Sequence, residues 1–276
     1  MAQHFDVEFF KNLLRTTWIG SEFVYIEKIN STNTYLKDLP FSELIHGMVV
    51  LTDYQFDGRG QYEKKWEAAP FKNLTFTIGF KPPDGSRLPL LTLGCACAIS
   101  KVLERYTGQR VHIKWPNDLL IGGKKIGGLL TESKFCGSKP ERVLIGIGIN
   151  IFQKRFRKEL DGIALSLDSV SRFPVSREKI LSECLLEIEQ SYRQWHKMDV
   201  DLQRSINERL IGYGDWVWLR IYENLQKEKY KFIGVSENGE LLMLNQQLDV
   251  NKFSYEQIRI ITGDHGISET DKSLSA

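Results

Sequence analysis

A stiff polar pentapeptide lies between two apolar segments and constrains the fold of this chain more than any other feature. It consists of Lys114, Trp115, Pro116, Asn117 and Asp118. Val111 and Ile113 precede it and residues 119–121 follow it, in patterns typical of strands. Proline fixes its own φ angle and favours an extended conformation for the residue before it. We therefore predict a tight connection between strands, whose cation, amide and carboxylate face a cleft.

Two explanations fit the chemistry of this pentapeptide. A lysine and an aspartate held apart by a stiff turn suit a phosphate group and its Mg²⁺ ion, because lysine binds phosphate and aspartate binds the metal. A surface hairpin with solvated charges contains the same residue types, and an isolated polar turn is more commonly of that kind. Motifs elsewhere in the chain are needed to distinguish a phosphate site from a surface hairpin.

The composition is that of an ordinary globular protein. Of the 276 residues, 42% are hydrophobic and 26% are charged, and the net charge of +2 shows no bias toward nucleic acid or membrane surfaces. The four cysteines have neither disulfide-framework nor metal-site spacing, so they predict reduced thiols and a cytoplasmic location. There is no signal-peptide pattern and no apolar run long enough to cross a bilayer, so we expect no membrane association.

Alternating strand patterns and amphipathic helices predict a main domain in residues 1–211 that contains both strands and helices. The predicted strands are 23–29, 48–51, 73–80, 111–114, 118–121, 125–132 and 142–151. The predicted helices are 34–39, 90–106, 176–198 and 202–211. Residues 54–72 lack periodicity, and a loop of that length inside a compact domain is usually functional or disordered.

The pattern changes to short strands after a pair of glycines, Gly212 and Gly214. Strands are predicted at 215–222, 229–235, 240–244, 246–251 and 257–262. Asn238-Gly239 is typical of a tight hairpin turn. About fifty residues of short strands predict a small barrel in residues 212–262, which leans on the main domain because so small a core is marginal alone. Residues 263–276 are predicted to be a polar tail.

The aperiodic loop contains a candidate anion site at Gly58-Arg59-Gly60. Glycines let backbone N–H groups approach an anion, and the guanidinium group clamps it. Lys64 adds positive charge and Trp66 offers a flat face for stacking. A flexible surface loop would show the same short pattern, which is weak by itself.

Two later strands carry glycines that suggest close approach by another group. Lys125 precedes Gly127-Gly128, so its amine can reach across a cleft, although an edge-strand lysine that deters aggregation is a common alternative. Residues 145–150 place glycine at every second position, which leaves one face of the strand bare, and end at Asn150. No dinucleotide-binding fingerprint and no Ser/His/Asp arrangement is present, and the basic run 154–158 is predicted to be a solvated face.

Taken in order, these segments resemble those of the biotin protein ligases over about residues 22–262. The matching pieces are Ser31-Thr32-Asn33, Gln55, Gly58-Arg59-Gly60, Trp66, residues 73–76, the pentapeptide, residues 125–128 and residues 146–150. The resemblance implies a catalytic domain of the α/β (α+β) class with a mixed sheet and helices, followed by a small SH3-like domain. It also implies a two-step reaction, in which biotin and MgATP give biotinyl-5′-AMP, and a lysine of a biotin carboxyl carrier domain then accepts the biotinyl group.

The resemblance also implies roles for individual residues. Lys125, Arg59 and Asp118 are expected to be catalytic, with Asp118 also binding Mg²⁺. Biotin is expected to contact Ser31, Thr32, Asn33, Gln55, Gly58, Arg59, Lys125 and Gly128. ATP or the adenylate is expected to contact Gly60, Gln61, Lys64, Trp66, Asn117, Lys125 and Asn150. Lys114 and Trp115 are then expected to be mainly structural.

The loop departs from the family pattern at two positions. Glu63 stands where glycine is usual, and Lys64 stands where arginine is usual and lacks its bidentate fork. Adenylate retention or loop closure is expected to differ as a result. Some members also carry an N-terminal winged helix-turn-helix and act as repressors. About twenty residues precede the first strand here, too few for that module, so no DNA binding is expected.

Other functions stay open at this point. A lipoate or octanoate ligase shares the catalytic fold, an idle biotin-binding protein would explain the altered loop, and a nucleic-acid-binding barrel is disfavoured by the near-neutral charge. A homodimer is compatible with the resemblance but is not fixed by it.

Overall fold

The computed structural model describes residues 4–61, 64–137, 139–222, 224–254 and 258–261, and within them a seven-stranded sheet forms the centre of the main part. Its strands are β1 Phe23–Ile29, β2 Met48–Gln55, β3 Leu74–Phe80, β4 His112–Lys114, β5 Asp118–Ile121, β6 Lys124–Cys136 and β7 Lys139–Ile149. Their spatial order is β1-β2-β3-β7-β6-β5-β4. Strands β1 and β2 are parallel and the other neighbours are antiparallel, so the predicted mixed sheet is confirmed.

Helices cover this sheet on both faces. In the described part of the chain they are α1 Val7–Leu13, α2 Thr32–Asp38, α3 Leu88–Thr107, α4 Arg177–His196 and α5 Val200–Asn207. Helices α3 and α4 pack against each other over the main core, whereas α2 lies on the opposite face against β2, β3 and β7. No helix in these described residues is both long and apolar enough to cross a membrane.

Alternation along β7 decides which face each residue serves. Ile145, Ile147 and Ile149 point into the main core, where they are buried. Gly146 and Gly148 therefore lie on the opposite face, beside Thr77 and Thr75 of β3 and Leu130 and Gly128 of β6 in the strand register. This strip is bare of side chains at the two glycines, and the Asn33 side chain of α2 lies over Gly146.

A second, antiparallel sheet follows the helices, as the short strand patterns predict. Its strands in the described residues are β8 Trp216–Ile221, β9 Asn224–Leu225, β10 Tyr230–Val235, β11 Leu241–Leu244, β12 Val250–Phe253 and β13 Ile258–Ile261. Buried side chains such as Phe232 and Val217 join the main core, so this sheet does lean on the rest of the protein. The division at residue 212 into separate domains stays a prediction, and the tail 263–276 lies outside the described residues.

The sequence-based element limits need several corrections. Helix α1 was not predicted because it is only seven residues long, with an N-cap at Asp6 and Phe10 as its buried residue. Helix α2 begins at Thr32 rather than at residue 34, because the Ser31 side chain caps it by accepting from the Thr34 N–H. Residues 246–249 form a turn rather than a strand, and β12 begins at Val250. Helix α5 ends at Asn207, short of the predicted residue 211.

A buried carboxylate on α4 ties down the segment between α1 and β1. Glu189 accepts hydrogen bonds from the backbone N–H groups of Thr17, Trp18 and Ile19, at 2.9–3.1 Å, and from the guanidinium group of Arg193. Burial alone would raise the pKa of Glu189, but the hydrogen bonds from Trp18, Thr17 and Ile19 outweigh it and the pKa lies below its ordinary value. The charged form therefore holds the chain in place.

We expect Glu189→Gln to lower the free energy of unfolding at neutral pH by about 1–3 kcal/mol, because an amide NH₂ group would face donors that need an acceptor. A depressed folded-state pKa stabilises the protein above the pKa of the unfolded chain, and this contribution is lost as pH falls. Denaturant unfolding from about pH 7 to about pH 3 should therefore show a smaller acid-induced loss for the variant. Equal losses in both proteins would contradict this role.

Candidate active site

The bare strip of the first sheet is the floor of a cleft. Gly146 lies under the side chain of Asn33, and Gly148 lies under the ring of Trp66, so closely that a Cβ atom at either glycine would collide with that side chain. The alternating glycines of β7 thus admit one side chain from α2 and one from the loop. This confirms that another group approaches the backbone there.

Most of the residues predicted to form the site come together around this floor. Those that line the cleft are Ser31, Thr32, Asn33, Gln55, Arg59, Gly60, Gln61, Lys64, Trp66, Asn117, Asp118, Lys125, Gly128 and Asn150. They come from α2, the loop after β2, β5, β6 and the end of β7. Segments that are more than a hundred residues apart in sequence therefore share one cavity.

Gly58 is the predicted site residue that lies behind the cleft wall rather than in its lining. Its carbonyl accepts a hydrogen bond from the Trp66 N–H at 2.9 Å. A Cβ atom at Gly58 would come within 2.7 Å of the Trp66 carbonyl oxygen and 2.9 Å of Gln55 Nε2. The glycine is required because it closes the base of the loop that carries Arg59 and Trp66. Glu63, the unusual residue of that loop, lies outside the described residues.

One end of the cleft is a buried network of neutral polar groups. Gln55 Oε1 accepts from the Thr32 N–H at 2.7 Å and from its hydroxyl at 3.0 Å. The Thr32 hydroxyl also lies 2.7 Å from that of Thr77, which donates to Asn33 Oδ1 at 2.6 Å. These hydrogen-bonded groups are rigidly placed, and they suit a ligand with its own polar edge.

An ion pair between Lys125 and Asp118 lies in the middle of the cleft. Lys125 Nζ is 2.7 Å from Asp118 Oδ1, and the two side chains are 32% and 25% exposed. The lysine backbone is fixed by residues after β7, since its N–H donates to Ile163 O and its carbonyl accepts from Leu165 N–H. Strand β6 lies between β5 and β7, so the alternative of an edge-strand lysine is wrong.

All five residues of the pentapeptide line the cleft, and Trp115 and Asn117 also bond to other parts of the fold. Trp115 is only 8% exposed, and its indole N–H donates to the Gly239 carbonyl of the second sheet at 3.4 Å. Asn117 Nδ2 donates to Leu129 O at 2.6 Å, which attaches the turn to β6. Asp118 then begins β5 and presents its carboxylate to Lys125. Lys114 and Trp115 also line the cleft, so their assignment as mainly structural stays a prediction.

Several cations and aromatic residues of the cleft were not predicted from the sequence. Arg259, on β13 of the second sheet, lines the cleft together with Phe156, Arg157 and Leu160. Arg157 is also 3.4 Å from Glu67 in the loop, so the basic run 154–158 is not simply a solvated face. Partial burial, followed by repulsion from Arg259 and Lys125, lowers the pKa of Lys64. Only folding brings these positions together, and their local sequence has no recognisable pattern.

Comparison with known proteins places the chain in a family. Residues 25–150 match the model of the biotin/lipoate A/B protein ligase family. The bifunctional ligase/repressor BirA of Bacillus spizizenii is 34% identical over 239 residues, which are 85% of this chain and 73% of that protein. The biotin--[acetyl-CoA-carboxylase] ligase of Mycobacterium tuberculosis is 28% identical over 63% of this chain and 64% of that protein.

A structural comparison agrees with the fold. The biotin protein ligase of Aquifex aeolicus in complex with biotin and ATP has a TM-score of 0.75 and 23% sequence identity, and the match covers 88% of this chain and all of that one. The fold and the cleft define a member of the biotin/lipoate ligase class. Within that class, the chain belongs to the biotin protein ligases.

The two floor glycines allow the ends of the cleft to be tested separately. We expect Gly148→Ala to displace Trp66 and to weaken ATP binding by about tenfold, because overpacking costs about 1–3 kcal/mol. Gly146→Ala should displace Asn33 and weaken biotin binding instead. Calorimetric titration of each variant with each ligand measures the effect. Equal losses of both ligands in both variants would contradict the division of the cleft.

Proposed function

We propose that this chain is an ATP-dependent biotin ligase, which activates biotin as biotinyl-5′-AMP and transfers the biotinyl group to a lysine of a biotin carboxyl carrier protein. The observation that carries the proposal is the position of Lys125. Its amine lies beside Gly128, and it lines the same cleft as the neutral polar network of Thr32, Asn33 and Gln55 and the Trp66 ring. A cation at that point meets the two anions that the first step must join.

In the first step, a biotin carboxylate oxygen attacks the α-phosphorus of ATP, a new C–O–P anhydride bond forms and pyrophosphate leaves. Two anions approach each other in this step, so positioned cations lower the barrier. Lys125, Arg59 and Lys64 line the cleft and supply that charge. No side-chain nucleophile is required. Lys125 is held by Asp118 until a ligand anion competes for it.

Asp118 fits a role in binding Mg²⁺ only together with phosphate oxygens of the substrate. Among the described residues no group of three or more His, Cys, Asp or Glu side chains could hold a metal ion alone. Mg²⁺ is commonly bound by one or two carboxylates plus substrate phosphates, and Asp118 supplies such a carboxylate. The metal would neutralise phosphate charge, and the protein residues would orient the reacting groups.

In the second step, the amine of the carrier lysine attacks the acyl carbon of the adenylate, an amide bond forms, AMP leaves and the amine loses a proton. The mixed anhydride has to be protected from water until then. The loop 56–73 carries Arg59 and Trp66 over the floor, and Arg157–Glu67 ties it to the segment after β7. We propose that this loop closes over the ligands.

Biotin is favoured over lipoate because the curated relatives are biotin ligases, whereas the family model alone covers both. The catalytically idle alternative is not favoured by these relatives. The carrier domain as partner, the cytoplasmic location, a homodimer and the lack of DNA binding stay predictions. The chain spans 73% of the first relative above but 64% of the second.

Biotin-dependent exchange of pyrophosphate into ATP tests the proposed function. Exchange with biotin and not with lipoate is the expected result. Exchange with lipoate alone would support the lipoate alternative, and biotin binding without exchange would support an idle binding protein. Transfer to a purified carrier domain, measured by mass spectrometry, then tests the second step.

We expect Lys125→Ala to reduce this exchange by about a hundredfold or more, because a cation at the reacting centre typically lowers the barrier by a few kcal/mol. Lys124→Ala is the matched control, since that neighbouring lysine is exposed and is not among the residues that line the cleft. A similar loss in both variants would indicate a general effect on the strand rather than a catalytic role for Lys125.

A further inference from the structure

Glu132 connects the floor of the cleft to the arginine of the loop. Its Oε2 accepts from Asn33 Nδ2 at 2.7 Å and from Arg59 Nη2 at 3.1 Å, and its Oε1 lies 3.3 Å from the same Nη2. Arg59 Nη2 also donates to the Thr34 hydroxyl at 3.2 Å. A single carboxylate therefore joins α2, β6 and the loop, although its sequence context predicts no special role.

The position of Glu132 follows from the alternation of β6. Gly128, Leu130 and Glu132 occupy every second position, and in register they face Gly148, Gly146 and Leu144 of β7. Glu132 therefore lies on the same face as the bare floor, at the edge where α2 begins to cover the sheet. The absence of a side chain at Gly146 leaves room for Asn33 to lie close to the sheet and reach Glu132.

The interaction between Arg59 and Glu132 is adjustable rather than rigid. The two side chains are 40% and 28% exposed, and partly exposed pairs of this kind contribute little to stability. Asn33, in contrast, is 4% exposed and is held by Thr77 as well. Glu132 is thus anchored on its buried side, and a partly exposed cation is attached on its open side.

The charge balance argues against a direct role for Glu132 with the ligands. A carboxylate beside a site for carboxylate and phosphate would repel both unless a cation shields it. In the structure the bonds of Glu132 go to Arg59 and Asn33, so its charge is compensated and its effect on a ligand passes through the arginine. Among the described residues, the hydrogen bonds of Arg59 to other side chains are made by Nη2, which leaves Nε and Nη1 for an anion in the cleft.

We propose that Glu132 is a positioning residue, which uses Asn33 as its anchor to hold the Arg59 guanidinium group in place over the biotin end of the cleft. The proposal rests on the proposed ligase function, because the ligand anion that Arg59 meets is the biotin carboxylate or the adenylate phosphate. Glu132 aims the arginine and keeps the loop near the floor.

A double-mutant cycle tests this role in the full chain. We expect Glu132→Ala to lower the kcat of biotin-dependent pyrophosphate exchange about tenfold, with the KM for ATP changed less than about twofold. In an Arg59→Ala background the same substitution should change kcat less than about twofold, because Glu132 acts through Arg59. Glu132→Gln keeps an oxygen that accepts from both partners and should stay within about threefold of the parent protein.

A second readout does not depend on catalysis. Digestion with a protease that cleaves only after lysine reports opening of the loop at Lys64 and Lys65, and neither substitution removes these sites. We expect Glu132→Ala to speed this cleavage about two- to fivefold, with no further increase in the double variant. Glu187→Ala is the matched control, because Glu187 pairs with Arg105 on the surface at similar exposure and far from the loop. Thermal unfolding checks that each variant is folded.

The outcomes separate this proposal from the proposed function. No exchange in the parent protein would reject the ligase function, and the cleavage cycle would still decide whether Glu132 holds Arg59. The proposal would be overturned if Glu132→Ala lowered kcat by the same factor with and without Arg59→Ala. It would also be overturned if Glu132→Ala left the cleavage rate unchanged.

Discussion

The close approach of side chains to a bare strip of β-sheet is the constraint on which the rest of this site depends. Gly146 and Gly148 leave room on β7 for Asn33 and Trp66, and both side chains would be displaced by a single added methyl group. Because the same strand buries Ile145, Ile147 and Ile149 on its other face, its position is fixed by the core. The floor of the site is therefore as rigid as the core below it, and the lack of side chains at Gly146 and Gly148 sets its depth.

The charges of the cleft are held in pairs of moderate strength. Lys125 is paired with Asp118, Arg59 with Glu132 and Arg157 with Glu67, and each pair is partly exposed. Partly exposed pairs contribute little net stability, so a substrate with several negative charges can compete for the cations at low cost. The deeper carboxylate of Glu189, in contrast, is satisfied by backbone donors and serves the fold. The partly exposed cations can thus exchange their carboxylate partner for a substrate anion, whereas the buried Glu189 keeps its donors.

Much of the fold was predictable because local patterns and tertiary structure agree. Strand β1 has the predicted limits, and α4 begins at Arg177, one residue after the predicted start, with Ser176 as its N-cap. Helix α1 was missed because seven residues carry too little periodicity, and its position depends on contacts with α4. The strand predicted at 246–251 begins only at Val250, because residues 245–249 close a turn through bonds between Asn245 and Asp249. Short elements are decided by their partners more than by their own composition.

The sequence by itself determined the motifs and most of the strands and helices, because motifs and alternation are properties of neighbouring residues. Through the family resemblance of those motifs it also predicted the mixed sheet and the candidate residues that line the cleft. Only the tertiary structure decided which of these residues meet. In the folded protein, Gly58 lies outside the cleft lining and the Trp115 indole donates to the Gly239 carbonyl. Arg157 and Arg259 line the cleft, and Glu132 pairs with Arg59 beside it. These last assignments depend on strands that pair across the sheet and on segments far apart in the chain. The packing of distant segments fixes the distances between these side chains, and a local pattern of residue types does not predict them.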